Sequence, residues 1–413
     1  MSRRGRINEN KSKYSTTVFF IILLGLIGFM ADLATDGSKS VTSTYLGLLG
    51  ASAVTVGFIA GLGELLAHSL RAIFGKLTDL IGNYWIPLLI GYTINLIAVP
   101  ALALAGNWME AIWLIILERL GRAVRSPARD AMISHAGAIT GRGWAYGVQE
   151  ALSSIGSMLG PIVIVIVLLL GGNYQLGFEI MILPALVAIL LLAYTRRVIP
   201  DPKKIEDISD TNQNTILDRT FWFYVLAATL IAAGYADFPV IALHVENFSN
   251  VFSEWIPIMF AIVMASNGLA ALILGRLYDR VGLLPLIFTS AIIPVFVPMT
   301  FFGEANIVMI GMIIYGIGLG AQESIMRAIV ADITPASKRG TAFGIYNAAF
   351  GISWFLGSMA MGILYGHSIM IMIILSMSLQ LMAIPLMLYV MRNHIFTTHR
   401  YRVKAPFDGE RDI

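Results

Sequence analysis

Long unbroken apolar runs dominate this chain, in place of the alternating or one-faced patterns of a soluble protein. Twelve can be delimited, at residues 16–36, 45–74, 84–104, 111–138, 144–170, 177–197, 220–245, 254–275, 284–303, 307–333, 342–365 and 369–391. Each is long enough to cross hydrocarbon as a helix, which takes about 20 residues at ~1.5 Å rise. A helix that is apolar all round must be covered by lipid or by other helices. Glycines and prolines interrupt several runs, which membrane helices tolerate because neighbours satisfy the freed backbone groups. The pattern predicts an all-α membrane protein of twelve transmembrane helices, with no room for a soluble domain.

Composition agrees. Of 413 residues, 57% are hydrophobic and 13% charged, against about a quarter charged in soluble proteins. There is no cysteine, which excludes disulfides, thiolate metal sites and cysteine nucleophiles. A net charge of +3 suggests an anionic partner at first sight, but there is no basic–aromatic interleaving of the kind that binds nucleic acid. The basic residues instead sort by connection. Arg3, Arg4, Arg6, Lys11 and Lys13 precede the first run; Arg196, Arg197, Lys203, Lys204 and Arg219 fill the central connection; Arg392, Arg400, Arg402, Lys404 and Arg411 follow the last. Lys76, Arg142, Arg276, Arg280, Lys338 and Arg339 occupy the even-to-odd connections, while the opposite side has only Lys39. This bias places both termini in the cytoplasm of a multi-pass cell-membrane protein and requires an even number of spans. The first run follows a basic start as a signal peptide would, but Asp32 interrupts the cleavage region, and the run is expected to be retained.

The connection at 198–219, with Pro200, Pro202 and a run of acids, divides the chain into two six-helix bundles, 16–197 and 220–391. A cytoplasmic segment, 1–15, and a cytoplasmic tail, 392–413, flank them. The halves repeat at a shift of about 200 residues. Gly75-Lys-Leu-Thr-Asp79-Leu-Ile-Gly82 returns as Gly275-Arg-Leu-Tyr-Asp279-Arg-Val-Gly282, Arg142-Gly143 as Arg339-Gly340, and Ala31-Asp32 as Ala236-Asp237. A duplicated six-helix unit is the signature of a transporter that rocks two pseudo-symmetric bundles about a central site.

These residues resemble the major facilitator superfamily over essentially all twelve spans. The family's best-known motif, Gly, three residues, Asp, a basic residue, one more and Gly, is matched by Gly75, Asp79 and Gly82, with Leu80 in place of the base. The second copy keeps Gly275, Asp279, Arg280 and Gly282. The resemblance implies that each Asp latches the outward-facing state. Gly147, Gly156, Gly160 and Pro161 are similar to the fifth-helix glycine pattern of the family's antiporters, with Ile164 replacing the closing glycine. Small residues on one stripe also simply allow close packing. The fourth run, Glu118-Arg119-Leu-Gly121-Arg122-Ala-Val-Arg125-Ser-Pro127-Ala-Arg129-Asp130, is similar to a prokaryotic subgroup of the superfamily.

Ionisable groups at bilayer depth are costly, so each faces a partner or a wet cavity. Here they fall in the first, second, fourth, fifth, seventh and tenth runs and avoid the interior of the third, sixth, ninth and twelfth. Helical rise sets their depth. Glu64, eleven residues before Gly75, lies about 16 Å from that turn, with His68 one turn away on the same face. Arg119 and Arg122 fall mid-span, Asp32 and Asp237 nearer the outer side, and Glu323 mid-span with Arg327 one turn below. Glu64, with Asp32 and Glu150 in reserve, is the candidate proton-coupling group, since a carboxylate in a drying cavity binds protons reversibly. His68, Arg119, Arg122, Asp237, Asn267, Gln322, Glu323, Asn347 and Trp354 are the candidate substrate-cavity residues. Glu323 with Arg327 also reads as a self-neutralising pair, and Arg125, Arg129, Asp130 and Asp332 as interfacial salt bridges near the cytoplasm.

The expectation is a secondary transporter of a small solute by alternating access, coupled to protons or another ion and tilted toward efflux by antiport. An uptake symporter and a non-transporting sensor with a transporter body are the alternatives. There is no Walker-type phosphate loop and no H-E-x-x-H or paired metal spacing. Neither an enzyme nor a cofactor or metal site is expected. The partners expected are the solute, the coupling ion and the bilayer, around a monomer.

Overall fold

The computed structural model describes residues 3–205, 217–236, 238–248 and 256–398; Asp237 and the Glu64 side chain lie outside the described residues. Among the described residues the chain makes twelve helical passages and no strand. The first six are α1 (Arg3–Leu48), α2 (Ala53–Ile81), α3 (Trp85–Ala101, extended by a 3-10 turn), α4 (Trp108–Thr140), α5 (Arg142–Leu169) and α6 (Tyr174–Ile180 and Ile182–Val198). The second six are α7 (Arg219–Gly234 and Phe238–Phe248), α8 (Ile256–Val281), α9 (Leu284–Ile292 and Phe296–Phe302), α10 (Ala305–Ala321 and Arg327–Ile333), α11 (Arg339–His367) and α12 (Ile369–Thr398). Among the described residues, nine passages are long and apolar enough to span a membrane by length and composition. Of the other three, α2 and α4 carry several charges each, and α7 breaks after Gly234.

The polar run after Asp36 reads as a loop leading to a second span at residue 45, yet it is helical. Its hydroxyls bond back to carbonyls one turn earlier: Thr35 to Ala31 at 3.0 Å, Ser40 to Gly37 at 2.6 Å and Thr42 to Ser38 at 2.8 Å. This local bonding keeps polar side chains satisfied inside a helix, and Gly37 packs against the Gly160 backbone of α5. The turn comes instead at Gly50 (φ +91°), and Ser52 then caps α2 by accepting from the Thr55 N–H at 3.1 Å. The apolar part of α1, Lys13–Leu48, spans 36 residues, or about 54 Å. Asp32 therefore sits near the middle of its helix.

In the first half, α1 packs on α5 and α6, and α3 on α4; in the second, α8 packs on α10 and α7 on α12. The halves meet chiefly along two seams, α2 on α11 and α5 on α8. Glycines set both seams. A Cβ at Gly75 would strike the backbone of Gly340 and Gly344, and one at Gly143 or Gly147 the backbone of Gly275 or Ala271. The largest core cluster draws on both halves, with Tyr84, Tyr146, Tyr224 and Phe343 fully or almost fully buried. The outer surface is apolar, with Trp113, Leu190, Phe288 and Ile374 among its exposed side chains, as lipid contact requires.

Candidate functional site

One end of the bundle gathers the basic connections, and there the two sequence repeats cross. Asp79, at the end of α2, accepts from the backbone N–H of Gly340 (2.9 Å) and Thr341 (2.6 Å), and from the Thr341 hydroxyl (2.6 Å). Asp279, at the end of α8, accepts from the N–H of Gly143 (2.8 Å) and Trp144 (2.7 Å). Each carboxylate thus caps the first turn of the other half's fifth helix, where free N–H groups and the helix dipole favour an anion. Gly82 and Gly282 end α2 and α8 with φ of +71° each, a left-handed conformation that glycine adopts without strain. Leu80 and Arg280 are both exposed, so the motif's basic position takes no part in the cap.

A second pair of cross-half bonds flanks the caps. Arg142 bonds Asp332, which also accepts from the Tyr278 hydroxyl at 2.5 Å. Arg339 reaches Nδ1 of His135 at 3.1 Å, while His135 Nε2 meets the Tyr84 hydroxyl at 3.3 Å. The same repeat relates Arg142 to Arg339 and Asp332 to His135, both at 197 residues, so one corner of the seal holds an acid and the other a histidine.

Deeper in the first half stands a column of acid–base pairs. Asp32 pairs with Arg125 (3.6 Å) and accepts from Ser153; Asp36 pairs with Arg122 (3.9 Å) and accepts from Ser157 at 2.5 Å. Arg125 also lies 4.4 Å over the Tyr92 ring, a cation–π contact. Glu118 meets Arg119 (3.3 Å) and Arg122 (3.2 Å), and accepts from Asn95 at 2.8 Å. Arg125 therefore pairs at mid-helix depth and not near the cytoplasm as expected.

Three further contacts link the halves at depth. Asn347 of α11 donates to Asp130 at 3.1 Å, and Asp130 also pairs with Arg129 at 3.3 Å. Asn267 of α8 donates to Glu150 of α5 at 3.0 Å. Glu150 has no ion-pair partner among the described residues. The third is a packing contact: His68 of α2 lies against Gly351 of α11. In α10, Glu323 and Arg327 pair with each other at a π turn, Gln322–Met326, a local widening often found at functional sites.

Two helices carry partly exposed charges within otherwise buried stretches. From Gly121 to Gly137 of α4 only Arg122 is not buried, and from Gly320 to Ala331 of α10 only Glu323 and Arg327 are not. Both stretches are otherwise buried, so these three charged side chains are the positions within them that keep some exposure. Asp36, partly exposed as well, is the α1 partner of Arg122. On α11, Phe350 and Trp354 are half-buried, with centroids 5.9 Å apart, and Trp354 continues to Tyr235 at 5.4 Å.

Of the expected site residues, Arg122 and Glu323 keep some exposure inside otherwise buried helices, while Asn267, Asn347 and Glu150 bind across the halves. Arg119 lies against Gly63, next to Glu64 on α2. Gln322 faces away, into a small pocket with Tyr235 and Gln380, where neither amide atom has a partner among the described residues. The fifth-helix glycines divide their work: Gly147 seats α5 on α8, and Gly156 and Gly160 seat it on α1. The sequence reading overlooked Asp36, Ser153, Ser157 and Asn95. The signal for three of them was a shared spacing, since Asp32/Asp36 and Ser153/Ser157 are each four apart, one turn on facing helices. Among the described residues no three His, Cys, Asp or Glu side chains are grouped to hold a metal.

Two six-helix halves meeting around a polar interior define the class of multi-pass secondary transporters. A family model for the Major Facilitator Superfamily matches residues 16–358 and 238–399, and the chain belongs to that family. An uncharacterized protein of Mycobacterium tuberculosis is 33% identical over 375 residues, covering 89% of this chain and 92% of its own length. An uncharacterized MFS-type transporter of Methanocaldococcus jannaschii is 23% identical over 369 residues, covering 87% and 90%. Among solved structures, the human organic anion transporter MFSD10 (TETRAN) is similar with TM-score 0.65 and 13% identity, covering 93% of this chain and 99% of its own. A bacterial homologue of the iron transporter ferroportin in an outward-facing state reaches TM-score 0.71 at 13% identity, covering 90% and 99%. At such identity these two likenesses speak for the fold.

Proposed function

We propose that this chain moves a small solute across the cell membrane by alternating access, exchanging it for protons in the direction of efflux. The carrying observation is that the partly exposed positions within the buried stretches of α4 and α10 are ionisable side chains, Arg122, Glu323 and Arg327. Charges left partly solvated at that depth are retained for a ligand or an ion path rather than for packing. The basic end is the cytoplasmic one, with both termini there, and its crossed caps hold the conformation described here closed toward the cytoplasm. Residues 16–197 and 220–391 are the rocking bundles, joined by the 198–219 linker and flanked by cytoplasmic segments 1–15 and 392–413. The chain works as a monomer, catalyses no reaction, and falls in the prokaryotic subgroup marked by its fourth-helix sequence.

Glu64, Asp32 and Glu150 are the coupling carboxylates. Glu150 has the described geometry for the task, because it bridges the halves through Asn267 with no cation in ion-pair contact among the described residues. Asp32 is held by Arg125. A proton on Glu150 alters a contact that exists only while α5 and α8 are together, and that difference between states is what coupling requires.

The test is proton flux in proteoliposomes loaded with a pH dye, with candidate solutes added outside. Antiport makes the lumen more alkaline as solute enters, and symport makes it more acid, whichever way the protein is inserted. Glu150→Gln keeps an acceptor for Asn267 and is expected to abolish the proton signal while solute exchange persists. Undiminished proton flux in that variant removes Glu150 from the coupling role, and acidification overturns the antiport direction.

A further inference from the structure

The second half holds a small pocket of its own. Its walls come from four helices, with Tyr235 just past the break of α7, Ser290 on α9, Gln322 and Met326 on α10, and Gln380 on α12. Gln322 and Met326 are the first and last residues of the π turn, so the widened turn itself forms one wall. The space left is about that of one water molecule. Gln322 is 5% exposed, and neither its amide oxygen nor its amide nitrogen has a hydrogen-bond partner among the described residues. Burying a polar atom unpaired is costly, and buried amides are met by protein or by ordered water. This amide calls for an occupant that donates to Oε1 and accepts from Nε2 at once. A metal cation satisfies only the oxygen, an anion only the nitrogen, and an apolar group neither. Water satisfies both, closing a ring with the amide, and it has the right size. Gln380, 2% exposed, gives its amide hydrogens to the Gly234 carbonyl at 2.9 Å and to Ser376 Oγ at 3.3 Å, which leaves its oxygen as a further acceptor. The repeat gives Gln322 a mate 197 residues earlier, Arg125, whose longer side chain reaches over the Tyr92 ring at 4.4 Å. In the second half a shorter glutamine stands in its place beside the pocket.

We propose that this pocket binds one ordered water molecule, held by the Gln322 amide and shared with Gln380, as a fixed part of the second half. The water ties the π turn of α10 to α12 and, through the Gly234 carbonyl, to the end of the first segment of α7. Three helices are thereby joined where two of them depart from regular geometry. The site goes beyond the transporter reading and stands independently of solute, coupling ion and direction.

The test is X-ray hydroxyl-radical labelling of the full chain in lipid nanodiscs, in which radiolysis of a bound water oxidises the side chain beside it. Met326 and Met132 are both fully buried, but Met326 lines the pocket and Met132 lies in the other half. Met326 is expected to be oxidised severalfold faster than Met132 in the native chain. Gln322→Leu takes away both amide partners, so Met326 oxidation should fall to the Met132 level. The thermal midpoint of that variant should drop by about 2–4 °C for each net hydrogen bond lost. In a dry pocket the same substitution removes two unpaired polar atoms and raises the midpoint instead. A native Met326 as unreactive as Met132, or a Gln322→Leu chain that melts higher, overturns the proposal, and the first result needs no variant to fold. A midpoint that rises in sodium over choline at equal ionic strength, and loses that rise in Gln322→Leu, puts a cation on the amide oxygen and overturns it as well.

Discussion

Replacing Asp279 by Asn tests the crossed caps most directly. The carboxylate accepts two backbone N–H bonds, at 2.8 and 2.7 Å, from the first turn of α5. A hydrogen bond to a charged group contributes about 1.5–3 kcal/mol, and an anion at a helix start about 0.3–1 kcal/mol. Asn keeps one acceptor oxygen, so it loses one bond and the charge. Asp279 is an exposed residue, and water screening favours the lower end of both ranges, giving a loss of about 2 kcal/mol. These contacts exist only while the two halves are joined at the basic end, so the loss falls on that state alone. At about 1.4 kcal/mol per tenfold, the sealed population should drop about 30-fold relative to the opened one. Spin labels on cysteines introduced at Leu80 and Ser337 measure this as a second, longer distance in lipid nanodiscs. Asp79→Asn, which loses its share of three bonds, is expected to act in the same direction, and the double variant to exceed either. An unchanged distance distribution in the double variant, with normal turnover, refutes the cap as the element that holds this end shut.

Two other perturbations follow from the same contacts. His135→Asp makes the two corners of the seal alike and gives Arg339 a charged partner, a bond about twice as strong as a neutral one; the label distances should shift toward the short, sealed population, and a shift the other way contradicts the pairing. Arg125→Met leaves Asp32 buried without its guanidinium, an error that costs about 3–5 kcal/mol; the thermal midpoint in detergent should fall steeply, and Asp32→Asn in the same chain should restore part of it.

The large architecture was legible because lipid imposes a simple code. Twelve apolar runs, basic connections on one side and a repeat near 200 residues foretold twelve passages in two related halves. The same code failed at Asp36–Thr44, where a polar run stayed helical because hydroxyls bond back along α1 and Gly37 meets Gly160. That one misplaced end put Asp36 at the edge of a loop and hid its pairing with Arg122. Pairings across helices were the least legible. Nothing in the local sequence says that Asn95 bonds Glu118 rather than lipid-side neighbours, or that Glu150 meets Asn267, because a single residue of helix rotation redirects a side chain by about 100°. The π turn at Gln322–Met326 was hidden for the same reason: it arises where Gly316 and Gly320 let α10 press against α8. By contrast Asp79 and Asp279 were found by motif, since a glycine turn fixes an acid at a helix end whatever the surroundings.

At the basic end Asp79 and Asp279 each belong to one repeat, and the helix start each closes belongs to its sister. Neither corner can be freed by a loop moving on its own, since α2 is seated on α11 and α8 on α5 by glycine contacts that leave no slack. The arrangement resembles a plug with two pins rather than a zip: both must withdraw in one stroke, and a half-withdrawn plug keeps neither connection in good geometry. Such a joint favours two well-separated states with few stable stops between them, so a mutation on either pin should be felt as a change in one shared barrier.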